Sequence, residues 1–219
     1  MLKIQFVRKE YVNLHKKEKE EEAAKGQFSH TGRLGETMKE SVEVVKIAVF
    51  NFLALEFPKT NFEKDSYHLH IPQGAIPKDG PSAGTSTFAA LVSIALREPV
   101  IGNIALTGEI TTLGEVISIG GVREKLTACK NHGITRVILP ESNQKHIKKL
   151  PEEFRRGFTI FYVRNVKQVH SICFNKGADN IEKLRSEGIM IEEYGEDDLQ
   201  TEIARSEVLI ERNFINDLL

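Results

Sequence analysis

The chain has 219 residues, of which 40% are hydrophobic and 28% charged, and its 30 basic residues nearly balance its 31 acidic ones. This length suits one core-bearing domain with tails. No apolar run approaches the ~18 residues that span a bilayer, which argues against a membrane protein, and a net charge of -1 provides no overall field that would recruit nucleic acid or an anionic membrane.

The first segment, residues 1–24, is predicted to be a charged arm or linker. It opens with a short apolar stretch around Ile4, Phe6 and Val7 and runs into a mixed block of lysine and glutamate over residues 16–22. Because such a block contains no core-forming residues, we expect this segment to be solvated.

A helix and a strand are predicted next. From Gly35 onwards, hydrophobic residues recur at three- and four-residue spacing, which indicates a core-facing helix that ends before Pro58. Alternation over residues 67–71 indicates a strand. His68 and His70 fall on one face of that strand and could offer two metal ligands. No third ligand stands at useful spacing, which favours a structural or site-supporting role for both.

A loop rich in helix breakers follows the strand. Residues 72–84 contain three prolines and three glycines, and Ser82 stands in this loop at the entrance of the next predicted helix. Unpaired amides and a partial positive charge at a helix N-terminus suit a nucleophile and an oxyanion. Serine is also a preferred helix cap and Asp-Gly and Gly-Pro are ordinary turn sequences, so the loop alone leaves both interpretations open.

Helices and strands alternate through the rest of the predicted domain. A helical face around residues 88–95 precedes short strands at 104–106 and 116–117, a helix that ends near Gly133, and strands at 137–140 and 158–163. This interleaving indicates a mixed α and β class. Residues 175–219 lean acidic and are predicted to be a C-terminal extension. An apolar helix face in that extension would consist of Leu199, Ile203, Ile210, Phe214 and Leu218.

The helix after Gly121 carries a candidate general base for Ser82. A lysine can act as a base only when burial or nearby positive charge lowers its pKa enough for the amine to be neutral. Helical spacing sets Lys125 beside apolar positions such as Val122, whereas Lys130 lies elsewhere around the helix. A lysine on a short helix is ordinarily a surface charge, so this assignment needs independent support.

The two cysteines, Cys129 and Cys173, form no CxxC pair, and the N-terminus has no apolar core of the secretory type. Both features favour an intracellular, reducing compartment. Cys129 together with His132 could suggest a thiol nucleophile. A cysteine at an apolar helical position is, however, ordinarily core filling.

Three motifs resemble the proteolytic domain of Lon proteases, in the order in which that family has them. The separation of 43 positions from Ser82 to Lys125 is similar to the family spacing. The resemblance covers roughly residues 25–174. Its segments are PKDGPSAG at Pro77–Gly84, TGEI at Thr107–Ile110 and GGVREK at Gly120–Lys125, with GETMKES at Gly35–Ser41 and HLH at His68–His70 upstream.

This resemblance implies a compact α+β fold of mixed sheets with packed helices and a serine endopeptidase that needs no metal or cofactor. Ser82 would be the nucleophile and Lys125 its general base. Thr107 would hydrogen-bond the lysine, and Asp79 would shape the entrance loop. The other supporting positions within the matched motifs are Glu40, His70 and Glu109.

The resemblance also implies properties of a larger protein. Full-length members form hexameric rings and degrade unfolded or tagged proteins with ATP, in the bacterial cytoplasm or the mitochondrial matrix. The chain has no GxxxxGK[ST] phosphate loop, so ATP-Mg is expected only in a separate ATPase module. The expected partners are unfolded polypeptides and further copies of the chain. One departure is the absence of tryptophan before Lys25, where the family has a hairpin and this chain has a charge block.

Two other functions remain open from the sequence. A non-catalytic module that uses the same fold to assemble rings would be expected to lack the serine or the lysine, and both are present. Small residues at a helix entrance also bind phosphate, as in small-molecule kinases. The segments TGEI and GGVREK argue against that second alternative.

Overall fold

The computed structural model describes residues 5–9, 26–60, 62–72 and 74–195, and of residues 5–9 only the backbone. Within them, no helix is both long and apolar enough to cross a membrane. The strands are β1 (Gln5–Lys9), β2 (Phe28–Thr31), β3 (Ser66–His70), β4 (Ile104–Leu106), β5 (Glu109–Ile110), β6 (Val116–Ile117), β7 (Arg136–Pro140), β8 (Thr159–Val163) and β9 (Met190–Glu193).

Seven α-helices and three short 3-10 turns lie between the described strands. The helices are α1 (Glu36–Glu56), α2 (Gly84–Leu96), α3 (Val122–Asn131), α4 (Gln144–Lys148), α5 (Glu152–Arg155), α6 (Val166–Cys173) and α7 (Ile181–Ser186). The 3-10 turns are Pro81–Ala83, Glu141–Asn143 and Gly177–Asp179. The predicted α+β class, with mixed sheets and packed helices, is confirmed.

A four-stranded sheet in the order β4-β7-β8-β9 forms the centre, with β9 antiparallel to three parallel strands. Its side chains alternate between two buried clusters. Ile138 and Phe161 pack with residues of α1, α2 and α6, whereas Leu139 and Tyr162 pack with residues of α3 and α4. Helices α2 and α3 therefore cover opposite faces of this sheet.

Helix α1 forms because its apolar residues fall on one side. Met38, Val45, Val49 and Leu53 are all buried at helical spacing, and the helix ends before Pro58, which lacks the amide to continue it. The N-terminal part of this stripe packs on Leu69 of β3 in a separate small cluster. The prediction of a helix that starts at Gly35 and ends before Pro58 is thus confirmed.

Part of the segment predicted to be a charged arm is a strand. β1 pairs antiparallel with β3, and β2 pairs parallel with β3 on its other side, giving a three-stranded sheet in the order β1-β3-β2. An open strand edge gains backbone hydrogen bonds from even a short partner, so the apolar stretch around Phe6 and Val7 forms a strand although the sequence prediction treated it as part of the arm. The charge block itself lies outside the described residues.

The fold continues past residue 174, where the predicted C-terminal extension begins. Leu184 of α7 and Ile189 are buried in the cluster beneath α6, and β9 adds a strand to the central sheet. Residues 175–195 therefore pack as part of the domain. The predicted apolar helix face from Leu199 to Leu218 lies outside the described residues.

A half-buried cluster of hydrogen bonds holds β9 against the sheet. The Glu192 carboxylate accepts from the Tyr162 hydroxyl at 2.7 Å, from Gln144 Nε2 at 2.7 Å and from the Tyr194 hydroxyl at 2.5 Å. Burial alone would raise the pKa of Glu192, but these hydrogen bonds outweigh it and hold the pKa below its ordinary value.

We expect Glu192 to make stability depend on pH. Because its folded-state pKa is depressed, the ionised carboxylate stabilises the fold above the unfolded value of about 4.3, and this contribution is lost as pH falls through the folded pKa. Glu192→Gln should cost about 1 kcal/mol at pH 7 by urea unfolding, and the difference from wild type should shrink at pH 3. A difference that stays constant with pH, or an equal response in the exposed control Glu187→Gln, would contradict this assignment.

Candidate active site

Ser82 and Lys125 meet although their helices cover opposite faces of the central sheet. Lys125 Nζ lies 3.1 Å from Ser82 Oγ, and both side chains are half-buried. The meeting point lies beyond the carboxyl end of β4, the edge strand of the sheet. This is hydrogen-bond distance, short enough for a proton to pass between the two groups.

The loop before α2 turns the chain so that Ser82 begins a helix. Gly80 has φ +96° and ψ 153°, a conformation essentially reserved for glycine, and no atom lies within 4 Å of the position where a side chain would begin. The 3-10 turn from Pro81 to Ala83 then runs directly into α2. Ser82 is therefore presented in the first turn of a continuous helical segment.

The backbone of Ser82 is fixed by the segment that follows β4. Its carbonyl oxygen accepts hydrogen bonds from the Gly108 amide and the Thr107 hydroxyl, each at 3.0 Å, and the Thr85 amide donates to the Gly108 carbonyl at 3.0 Å. Thr107 was expected to hydrogen-bond Lys125. Its hydroxyl instead donates to the backbone carbonyl oxygen of Ser82.

The backbone at Gly84 lies very close to the backbone of the segment from Gly108 to Ile110. A Cβ on Gly84 would lie 2.9 Å from the Gly108 carbonyl oxygen and 3.0 Å from the Ile110 amide nitrogen. Only a residue without a side chain permits that approach. The glycine after Ser82-Ala83 therefore allows the TGEI segment to hold the serine.

Asp79 joins the loop to the start of α1. Its Oδ1 accepts from the Met38 amide in the first turn of that helix and from the Gly80 amide, each at 2.9 Å. It thus acts as a helix cap supplied from a distant part of the chain, complementing the positive end of the helix dipole. The two hydrogen bonds tie the entrance loop, which Asp79 is predicted to shape, to the start of α1.

Lys125 stands on α3 beside that helix's buried face, which consists of Val122, Leu126 and Cys129. Burial lowers the pKa of Lys125 from its ordinary value, while the neighbouring Cys129 acts weakly in the opposite sense. A lowered pKa enlarges the neutral fraction of the amine near pH 7, which is the form that can accept a proton.

The helical segment that carries Ser82 also offers hydrogen-bond donors. The amides of Ser82 and Ala83 belong to the first turn, where helical geometry provides no intrahelical acceptor. Such amides, with the positive end of the helix dipole, can stabilise a negative oxygen that forms beside the serine.

The other predicted supporting residues make no hydrogen bond to this pair among those of the described residues. Glu109 is half-buried and directly follows Gly108, and Glu40 is exposed on α1. His70 on β3 hydrogen-bonds the Thr31 hydroxyl at 2.8 Å. Among the hydrogen bonds of the described residues, none joins Glu40, His70 or Glu109 to Ser82 or Lys125.

The two alternative sites considered from the sequence find little support. His68 and His70 share the Thr31 hydroxyl, and no group of three potential metal ligands exists among the described residues. Burial raises the pKa of the Cys129 thiol, and His132 donates from Nδ1 to the Ala128 carbonyl oxygen at 2.8 Å, not to that sulfur. A thiol nucleophile would need the opposite environment.

Sequence reasoning missed Asn143, which lies close to the start of the lysine helix. Its side chain is fully buried and hydrogen-bonds both backbone groups of Ile119, three residues before α3. The only signal in the sequence was a polar residue shortly after a strand, which is typical of an ordinary helix cap.

The chain is similar in sequence to Lon proteases. The family described as Lon protease (S16) C-terminal proteolytic domain matches residues 14–176. Lon protease of Buchnera aphidicola subsp. Schizaphis graminum is 41% identical over 152 residues, which cover 69% of this chain and 20% of that protein. The mitochondrial Lon protease homolog of Rattus norvegicus is 40% identical over 150 residues, covering 68% of this chain and 16% of that protein. The chain thus spans a fifth or less of the length of these relatives.

Proposed function

The chain belongs to the Lon protease (S16) family, matching its C-terminal proteolytic domain, and on that premise we propose that it is a serine endopeptidase in which Ser82 and Lys125 form the catalytic dyad. The observation that carries this proposal is the 3.1 Å separation of Ser82 Oγ and Lys125 Nζ. The partial burial that lowers the pKa of Lys125 supports the same assignment.

The proposed reaction is acyl transfer from a peptide to Ser82 and then to water. The serine hydroxyl donates its proton to neutral Lys125 as its oxygen attacks the peptide carbonyl carbon. The amides of Ser82 and Ala83 stabilise the resulting oxyanion. The Lys125 ammonium then returns the proton to the departing amine, and a water molecule, activated by the same lysine, releases the acyl group.

The larger protein to which this activity would belong is also part of the proposal. We infer that the peptidase works with an ATPase module, which would hold ATP-Mg, while the peptidase site itself uses no metal or cofactor. Its substrates would be unfolded polypeptides, and its assembly a hexameric ring. A bacterial cytoplasm or a mitochondrial matrix would be its location, and neither nucleic acid nor membrane would be a partner of this domain.

The proposal is tested with an unstructured fluorogenic peptide. We expect the 219-residue chain to cleave it, with a rate per chain that rises with protein concentration if assembly completes the site, and to react with a fluorophosphonate at one residue. Ser82→Ala should lose both cleavage and labelling. Wild-type cleavage by that variant would contradict the dyad.

Two other outcomes of this experiment favour the alternatives. A folded, assembled wild-type chain without turnover or labelling at any concentration would favour a non-catalytic assembly module. Nucleotide binding in a thermal-shift assay, together with no serine labelling, would favour phosphate binding at the helix entrance, since amides at such a position attract anions.

A further inference from the structure

We propose that Asn143 is a positioning residue for Lys125: its side-chain amide fixes the backbone of Ile119, and with it the start of α3, where the lysine amine meets Ser82. This inference rests on the proposed dyad. It adds a residue whose hydrogen bonds go to Ile119 and His146 and to neither reacting atom, so that it acts through the backbone before α3.

The Asn143 amide contacts Ile119 at two points. Oδ1 accepts from the Ile119 amide at 3.0 Å, and Nδ2 donates to the Ile119 carbonyl oxygen at 2.8 Å. Rotating the amide by half a turn would oppose donor to donor and acceptor to acceptor, so its orientation is determined. The side chain has no exposed surface, so neither bond can be replaced by water without opening the core.

The contact reaches the start of α3 through a connection of only two glycines. Ile119 is buried in the same apolar cluster as Val122, and only Gly120 and Gly121, which carry no side chains, separate the two. Before Ile119 in the chain, the Val116 amide donates to the Arg164 carbonyl oxygen at 2.7 Å. Ile119 is thus the last anchored backbone before the helix that carries the lysine.

Asn143 is itself held from its other side by His146. The second Nδ2 hydrogen points to His146 Nδ1 at 2.9 Å. Because Nδ2 can only donate, Nδ1 must accept, which requires the neutral imidazole with its proton on Nε2. The exposed His146 on α4 therefore completes the hydrogen bonding of a fully buried amide.

The first test compares Asn143→Ala with Tyr162→Phe, which also removes a hydrogen bond of a buried side chain on the same face of the sheet. Asn143→Ala removes the contact that holds the start of α3. We expect its kcat for the peptide to fall about 100-fold near pH 7 with KM little changed, since small misplacements of a catalytic group have such effects. The acid limb of the kcat profile should move to higher pH, because a less buried lysine regains its ordinary pKa. Once kcat is expressed per folded molecule, Tyr162→Phe should change neither kcat nor the acid limb of its pH profile.

A conservative pair of variants separates acceptor chemistry from packing. His146→Asn places an amide Oδ1 where the ring has Nδ1, so we expect it to keep wild-type kcat. His146→Leu removes the acceptor and should lower kcat by several-fold. Equal kcat values in both variants would show that His146 does not act through Asn143.

The decisive measurement does not depend on activity. NMR titration of the Lys125 side chain, in a chain carrying Ser82→Ala, should give a higher lysine pKa when Asn143 is replaced by alanine. An unchanged lysine pKa, or an Asn143→Ala enzyme with the wild-type kcat profile, would overturn the positioning role. A wild-type chain without serine-dependent turnover would instead remove the proposed peptidase function, and the titration would still decide whether Asn143 positions Lys125.

Discussion

Replacing Lys125 by arginine is expected to lower peptide cleavage by about 1000-fold or more. Arginine keeps the positive charge, much of the length and the ability to donate to Ser82 Oγ, which Lys125 Nζ meets at 3.1 Å. It cannot supply a neutral nitrogen near pH 7, because the guanidinium stays protonated in proteins. Removal of a general base and of the activated nucleophile it creates has effects of this size.

The matched control is Lys130→Arg on the same helix. Lys130 is exposed, and its amine donates to the Glu153 carbonyl oxygen and lies over the Phe154 ring. An arginine can make both contacts, so we expect wild-type activity and stability. The measurement is kcat/KM for a fluorogenic peptide, with thermal unfolding to show that both variants remain folded. Substantial turnover by Lys125→Arg would mean that Lys125 serves Ser82 only as a charge or a hydrogen-bond donor.

The pKa of Lys125 also determines how the wild-type rate should vary with pH. Burial favours the neutral amine and lowers the pKa from its ordinary value, so the active form appears at lower pH than it would for a solvated lysine. Activity should therefore rise with pH through that lowered pKa and level off above it. The apolar helical neighbours of Lys125 indicated that burial could lower this pKa, but whether the side chain is in fact partly buried depends on what covers the helix.

The long periodic elements of the fold could be predicted from the sequence. The apolar stripe of α1, the alternation of β3 and the apolar runs of β7 and β8 each bury enough surface to determine their own structure. β2, β5 and β9 were missed because each is short and carries polar residues, so their pairing partners rather than their own patterns make them strands.

The candidate site, like the fold, could be predicted only in part from the sequence. The family motifs and the spacing between them predicted Ser82 and Lys125 as site residues, and the structure brings those two side chains to hydrogen-bond distance. The hydrogen bond from the Thr107 hydroxyl to the Ser82 carbonyl oxygen was not predicted, because a motif gives a residue's identity but not the direction of its side chain. Asn143 was missed altogether, since its role depends on a contact 24 residues away along the chain. Long-range polar contacts of this kind leave no periodic signal.

The second large effect is expected at Gly84. Its backbone is helical, with φ -54° and ψ -51°, so valine is permitted there by torsion angles alone. The obstacle is contact: the added Cβ would lie 2.9 Å from the Gly108 carbonyl oxygen and 3.0 Å from the Ile110 amide nitrogen, and neither backbone group can rotate away. Gly84→Val must therefore push apart the segments that hold the Ser82 carbonyl.

We expect Gly84→Val to cost about 1–3 kcal/mol of stability and to lower kcat more than tenfold, because Ser82, the proposed nucleophile, moves relative to Lys125. Gly102→Val is the matched control, since Gly102 is exposed and its Cβ would meet nothing within 4 Å. Urea unfolding and peptide turnover measure the two effects separately. If Gly84→Val loses stability and keeps the wild-type kcat of its folded fraction, the link through Gly108 supports the fold without setting the position of Ser82. Loss of both quantities, with neither lost in the control, would show that the TGEI segment fixes the serine in place.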